Sequence, residues 1–417
     1  MSETVPDIKA DIPADHGLVG SDRGETVSLM EPLLIPEGSR FRGELTDLAV
    51  ELTARSAGFR RSLPKGVTAA LAGLVRSMNC YYSNLIEGHD THPVDIERAL
   101  NNDYSSDALQ RNLQLEAKAH IEVQQWIDAG GLRGRAASRD GICATHRHFC
   151  AKLPEPMQWV ADPAGGQRVP VVPGELRRRD VRVGRHIPIS PGAVPRFLGR
   201  FERVYGELGK TDSILAGAGA HHRLVWIHPF LDGNGRVARL MSHAMLLEAL
   251  DTGALWSVAR GLARNVAAYK EHLAECDLTR RNDLDGRGNL SEEALARFTR
   301  FFLEICLDQV GFMEDLVQPE ALRARILLWV EEQIRLNRLP AKARNVLEAA
   351  LYRGEVPRGD VGQMIGASDR HARRVVAALM GSNVIVSDGP RAPLRIAFPA
   401  AMASRWMPGL FPDKVGG

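Results

Sequence analysis

The stretch I-H-P-F-L-D-G-N-G-R-V-A-R-L, Ile227 to Leu240, lies between two helical patterns, Ser213–Ile227 and Gly235–Leu250. Its Asp-Gly and Asn-Gly pairs require a tight turn, because glycine enters the left-handed backbone region without a steric penalty. A turn that opens straight into a helix leaves backbone N–H groups unpaired at the helix start, where the dipole also favours an anion. Arg236 and Arg239 are three residues apart, hence on one helix face. Two guanidiniums beside an anion nest suit a polyphosphate. Asp232 is a hard oxygen donor of the kind that holds Mg²⁺ bridging phosphates. His228, just before the turn, is the group able to take a proton near neutral pH. Two other readings compete. A calcium loop can open with D-x-N-x, but Arg236 and His243 occupy its fifth and twelfth positions, where oxygen ligands are needed. An ordinary turn with His228 capping a helix accounts for each feature singly but not for all of them together. No G-x-x-x-x-G-K-[ST] occurs, which excludes a P-loop.

The rest of the chain reads as mainly α. Residues 1–41, rich in Gly, Pro, Asp and Ser, have no period and are expected as an extended or disordered arm. An N-terminal helical region covers 42–130. Leu45, Leu48, Ala49 and Leu52 mark one helix, and Val67, Ala70, Leu71 and Leu74 a second. A third runs through Asn79–Ile86 and stops near Gly88; Pro93 can open the next, and 107–128 form a long one. The core follows at 131–317. In it 151–173 is expected as loop, and Val181, Val183 and Ile187, interrupted by Gly184, suggest a short hairpin. Helices resume at Val194–Leu208 and Glu293–Val317. After a linker near Gln318–Pro319, residues 318–417 read helix, helix, turn, helix and two strands, with Asp369 as a cap for a helix holding Arg370, Arg373 and Arg374.

The chain has 417 residues, 44% hydrophobic and 25% charged, as in globular proteins. Its 53 Lys and Arg against 51 Asp and Glu give a net charge of +2. That excludes a protein basic all over that coats nucleic acid, though not a local basic patch. Five cysteines without a C-x-x-C pair fit a reducing compartment. With no signal-peptide core and no apolar span of ~18 residues, the expectation is a soluble cytoplasmic protein without a membrane partner.

Residues 228–239 resemble the signature H-x-F-x-[D/E]-G-N-G-R-x-x-R of the Fic family, with every fixed position met. The resemblance, from about Asn79 to Asp308, implies a helical core that transfers AMP from ATP to a Ser, Thr or Tyr hydroxyl of a target protein. It implies His228 as base, Phe230 as loop anchor and Asp232 as the Mg²⁺ ligand. Gly233, Asn234 and Gly235 would then cradle phosphates, and Arg236 and Arg239 bind the outer ones. Val181–Pro188 looks like the family's flap, which implies that Val183, Gly184, Arg185 and His186 clamp the nucleotide and align the target by strand addition. Gly174–Arg177 has Leu176 where many relatives carry an aromatic residue. Tyr269 stands where relatives place an aromatic against the adenine; a core tyrosine is the competing reading.

Ser83–Gly88, S-N-L-I-E-G, matches the family's inhibitory pattern [S/T]-x-x-x-E-[G/N]. Ser83 and Glu87 are one helical turn apart, and Glu87 would pair with Arg239 and deny it to the γ-phosphate. The C-terminal unit resembles a winged helix-turn-helix, whose three arginines would meet DNA. Two alternatives follow: a nucleotide-sensing DNA-binding regulator, and a Fic enzyme that uses another nucleotide or runs de-AMPylation. A homodimer stays open.

Overall fold

The computed structural model describes residues 20–161, 167–250 and 252–412. It is mostly helical, as the periodicity requires. In chain order the helices are α1 (Arg42–Ser62), α2 (Lys65–Ile86), α3 (Pro93–Leu100), α4 (Ala108–Asp128), α5 (Arg139–Cys150), α6 (Val194–Tyr205), α7 (Lys210–Ile227) and α8 (Asn234–Leu250). There follow α9 (Val258–Arg264), α10 (Val266–Cys276), α11 (Glu292–Leu316), α12 (Pro319–Arg335), α13 (Ala343–Arg353), α14 (Val361–Met364), α15 (Asp369–Gly381) and α16 (Ala403–Trp406). Two antiparallel pairs complete it, β1 (Trp159–Ala161) with β2 (Arg168–Pro170) and β3 (Ile385–Val386) with β4 (Arg395–Ile396). No described helix is long and apolar enough to cross a membrane.

The chain forms two compact units. One takes residues up to Ser56, Asn79–Thr252 and Ser257–Gln309; the other takes Ala57–Met78, Gly253–Trp256 and the chain from Val310 onward. The core of the first surrounds α7 and α8. Both are buried along most of their length, so neither shows the one-sided polarity of a surface helix. α6 is the opposite case. Val194, Phe197, Leu198, Phe201 and Tyr205 recur at helical spacing and supply its buried stripe. In the second unit α13, α14, α15 and the β3–β4 hairpin follow in the expected order, with Ala372, Val375, Val376 and Leu379 as the inner face of α15. Ser368, not Asp369, is the cap residue there, and Asp369 opens the helix.

Three further expectations are corrected. The second and third predicted helices are the single helix α2, because no Gly or Pro between Leu74 and Asn79 interrupts it. The hairpin pair lies at 159–170, inside the stretch read as loop; strands of three residues are too short to show a period. The Val181–Pro188 segment turns back on itself as expected, through one antiparallel bridge, Val183 with His186, around Gly184 at φ +59°. The arm is also ordered from Gly20 onward. Met30, Leu33 and Ile35 are core residues, and Tyr205 and Arg223 donate to the Leu33 and Pro32 carbonyls. Residues 1–19 lie outside the described residues.

Candidate active site

The Asp232–Gly235 turn joins α7 to α8, and its geometry begins at His228. This residue ends α7 in the left-handed conformation, φ 50° and ψ 64°. That costs a non-glycine residue roughly 1–2 kcal/mol, so neighbours must hold it. Arg177 does so: its Nε donates to the His228 carbonyl at 2.7 Å, its backbone N–H donates to the Pro229 carbonyl at 2.8 Å, and its other guanidinium nitrogens reach the Arg179 and Ile189 carbonyls. His228 Nδ1 lies 3.3 Å from the Val225 carbonyl, which can only accept, so Nδ1 carries the proton and Nε2 the lone pair. Burial, with Arg177 nearby, pushes the imidazole pKa down to about 3. The ring is therefore neutral at physiological pH, the form a base needs.

Beyond it the turn is stapled from inside. Phe230 is fully buried and stacks on His146 with ring centres 3.8 Å apart. Asn234 accepts from the Phe230 N–H and donates to the Phe230 carbonyl, both at 2.9 Å, so its side chain closes the loop and is not spare for a ligand. His146 Nδ1 accepts from the Gly174 N–H at 2.8 Å. Its Nε2 therefore bears the hydrogen, which points to the Asp232 carbonyl at 3.2 Å. Gly233 adopts φ +80°, where a side chain would be strained. Among the described residues, the backbone N–H groups of Gly233, Asn234, Gly235 and Arg236 donate to no protein acceptor. They form a donor cluster at the start of α8.

Both arginines of α8 are held by carboxylates distant in the chain. Arg239 donates through Nε to Ser83 Oγ at 2.9 Å, and through Nη2 to the Ser83 carbonyl and to Glu87. Burial alone would raise the Glu87 pKa, but Arg239 and Arg236 bring it down to about 2, so the carboxylate is charged. Arg236 pairs with Glu116 of α4 at 2.5 Å, and both side chains are almost wholly inaccessible. Burial opposes the charge on Arg236, yet Glu116 and Glu87 outweigh it and raise its pKa above the ordinary arginine value. His89 Nδ1 donates to the second Glu116 oxygen at 2.7 Å.

Asp232 is exposed, and among the described residues no hydrogen bond or salt bridge engages its carboxylate. No three His, Cys, Asp or Glu side chains converge on a metal-sized site among these residues. A cation at Asp232 would thus complete its shell with phosphate oxygens and water, which is how Mg²⁺ is usually held beside a polyphosphate. The Val181–Pro188 segment is tied to α7, for His186 Nε2 donates to the Trp226 carbonyl at 2.8 Å. Val183 and His186 are half-buried, while Gly184 and Arg185 are exposed. Tyr269 is buried, and its hydroxyl lies 2.6 Å from His221 Nε2.

The structure thus brings together His228, Asp232–Arg236, Arg239, Ser83 and Glu87. Sequence reasoning passed over His146, Arg177, Glu116 and His89. For Glu116 a cue exists: with His120 and Gln124 it puts polar groups at four-residue spacing on one face of α4, and that face is buried.

Several known proteins are similar to parts of this chain. Over 82 residues the chain is 43% identical to the protein adenylyltransferase Fic of Drosophila erecta, covering 19% of this chain and 17% of that protein. The protein of the same name from Drosophila melanogaster is 45% identical over the same shares. The chain thus spans under a fifth of the length of these relatives. Among solved structures, a Fic family protein from Desulfovibrio desulfuricans G20 has 16% identity and a TM-score of 0.46, covering 84% of this chain and 96% of that one. A Fic domain containing signaling protein from Bacteroides thetaiotaomicron VPI-5482 has 18% identity and a TM-score of 0.47, covering 64% and 95%. Residues 136–246, which contain the turn, all of α7 and most of α8, match the Fic/DOC family model.

Proposed function

We propose that this protein is an adenylyltransferase that moves AMP from ATP to a Ser, Thr or Tyr hydroxyl of a target protein, and that Glu87 restrains it. The observation that carries this reading is the neutral His228 beside a cluster of unpaired N–H donors whose Arg239 is already occupied by Glu87. The name of the Drosophila relatives, which match over 82 residues, agrees with it.

In this mechanism the target hydroxyl gives its proton to His228 Nε2 as its oxygen attacks the α-phosphorus. The bond from the α-phosphorus to the bridging oxygen breaks, and pyrophosphate leaves. The Gly233–Arg236 N–H groups stabilise the charge that develops on the phosphates, mostly by positioning. Mg²⁺, held by Asp232, would neutralise part of the phosphate charge. While Glu87 holds Arg239, the γ-phosphate lacks that partner and ATP settles in a pose unfit for attack. The test is label transfer from α-³²P-ATP, to the protein itself and to a lysate, by wild type, Glu87→Gly and Glu87→Gly/His228→Ala. Label must follow Glu87→Gly and vanish with His228; the same assay with labelled GTP, UTP and CTP reads nucleotide choice.

A second reading concerns the C-terminal unit. Arg370, Arg373 and Arg374 are all exposed on α15, the last helix before the β3–β4 hairpin. We infer a winged helix-turn-helix that contacts DNA phosphates. A mobility shift that weakens steeply with salt, and that Arg370→Ala/Arg373→Ala abolishes, is the expected result.

A further inference from the structure

We propose that the target segment of this site is acidic and extended, and that it seats one apolar side chain in a cavity beside Leu231. This rests on the transferase reading above and names the substrate class for it. Residues 168–186 contain six arginines against two acids, a net charge of +4 in a chain whose total is +2. Arg177 is buried among carbonyls, but Arg168, Arg178, Arg179, Arg182 and Arg185 are exposed. Of the two acids, Asp180 is already gripped by both terminal nitrogens of Arg23, at 2.9 and 2.8 Å. Glu175 lies 3.7 Å from Arg178 and offsets one charge. Asp277, just after α10 and 3.9 Å from His186, is a carboxylate that faces the flap. The rim therefore stays positive and steers an acidic partner.

The same segment holds a cavity of about 180 Å³, with Val169, Val171, Val172, Leu176 and Leu231 as its apolar lining and Glu175 and Arg177–Arg179 as its charged lining. An apolar cavity of about 150 Å³ accepts a benzene-sized group, so this one has room for a single aliphatic or aromatic side chain. Val172 and Ile187 are 44% and 64% exposed, apolar surface that a bound segment would cover. From Val181 to Ile187 the only backbone–backbone bonds among the described residues are the reciprocal pair of Val183 and His186. The Gly184 carbonyl accepts from Arg182 Nε at 3.2 Å; the remaining N–H and C=O groups of this stretch make no hydrogen bond among the described residues and can take an added strand. A single-stranded nucleic acid would instead need aromatic stacking platforms, and no aromatic residue lines the cavity.

The test uses the full chain carrying Glu87→Gly, immobilised, and a synthetic peptide library with a central Ser, Thr or Tyr and randomised flanks. The library is selected once by binding alone and once by label transfer from ATP. Asp and Glu should be enriched several-fold in the flanks, with Leu, Ile, Met or Phe at one position. The exposed double change Arg178→Glu/Arg182→Glu should weaken the best acidic peptide about tenfold and turn selection toward Lys and Arg. Filling the cavity by Leu176→Trp should erase the apolar preference and spare the acidic one. Selection that is charge-neutral or basic overturns the proposal, as does a dT oligonucleotide that outcompetes the best acidic peptide at equal salt. Acidic selection by binding with no transfer anywhere removes the transferase reading alone; transfer without acidic selection removes only this one.

Discussion

At His228, the direction of the pKa shift determines what pH does. A neutral imidazole with pKa about 3 keeps its lone pair well below the usual histidine range. Transfer by the Glu87→Gly form should therefore hold its rate from pH 8 down to pH 5, and a half-loss near pH 6.5 would mean that an ordinary histidine is the base. His228→Ala should bind ATP normally, by calorimetry, and lose about 10²–10⁴-fold in rate. Arg236 poses a different question, because its partner Glu116 is almost wholly inaccessible. Arg236→Ala strands that charge, which typically costs about 3–5 kcal/mol. Thermal melts should show it much less stable than Arg239→Ala, whose partner Glu87 is 32% exposed. The double change Glu116→Gln/Arg236→Met should recover most of the loss. No recovery would mean that Arg236 supports the fold through contacts other than Glu116. The sequence offered Glu116 only as one of three polar residues at four-residue spacing, with His120 and Gln124; that its partner is Arg236, 120 residues further on, was not legible from spacing.

Among the elements, the end of α2 carries the proposed restraint. The helix stops at Ile86, so Glu87 sits in the turn that follows, with Gly88 at φ +85°. A glycine at 87 is thus spared most of the roughly 1 kcal/mol that it costs inside a helix. Glu87→Gly should fold like wild type and raise label transfer about 5–30-fold, the equivalent of roughly one or two kcal/mol from the recovered Arg239 contact. Adding Arg239→Ala should cancel the gain. If folded Glu87→Gly labels no faster at any ATP concentration, the pair with Arg239 is structural and the restraint lies elsewhere. The hexapeptide at 83–88 made this element legible in advance, because Ser83 and Glu87 share a face at helical spacing. The turn's inner scaffold was hidden: His146 and Arg177 act from 86 and 51 residues away, and neither spacing nor periodicity reports such distances.

Among the described residues, burial lowers the pKa of His148 and takes five other histidines well down: His120, His221 and His228 to about 3, His146 and His222 to about 4. Each of the five is neutral when folded, while in the unfolded chain each takes up a proton near pH 6.5. Between pH 6.5 and about 4 the unfolded state binds more protons, so stability falls as pH falls, by up to ~1.4 kcal/mol per group per pH unit. Glu87 adds to the same slope only below about pH 4.5. Calorimetric melts should therefore show the transition temperature flat from pH 8 to 7 and dropping steeply below pH 6. A transition temperature unchanged down to pH 5 would show that these histidines are protonated within the fold.

By itself the sequence determined the local devices. Asp232–Gly235 read as a tight turn feeding a helix, the order of helices followed from apolar spacing, and Ser83 and Glu87 at helical spacing offered a carboxylate for Arg239. Those properties depend on residues within one or two turns of each other. The tertiary structure alone decided the rest. It made α2 one helix, put the hairpin pair at 159–170, packed Met30, Leu33 and Ile35 into the core, and gave Glu116 to Arg236, Arg177 to the His228 carbonyl and His146 to the Asp232 carbonyl. Each of these is a choice among partners distant in the chain. It is settled by which buried polar groups can satisfy one another once water is gone.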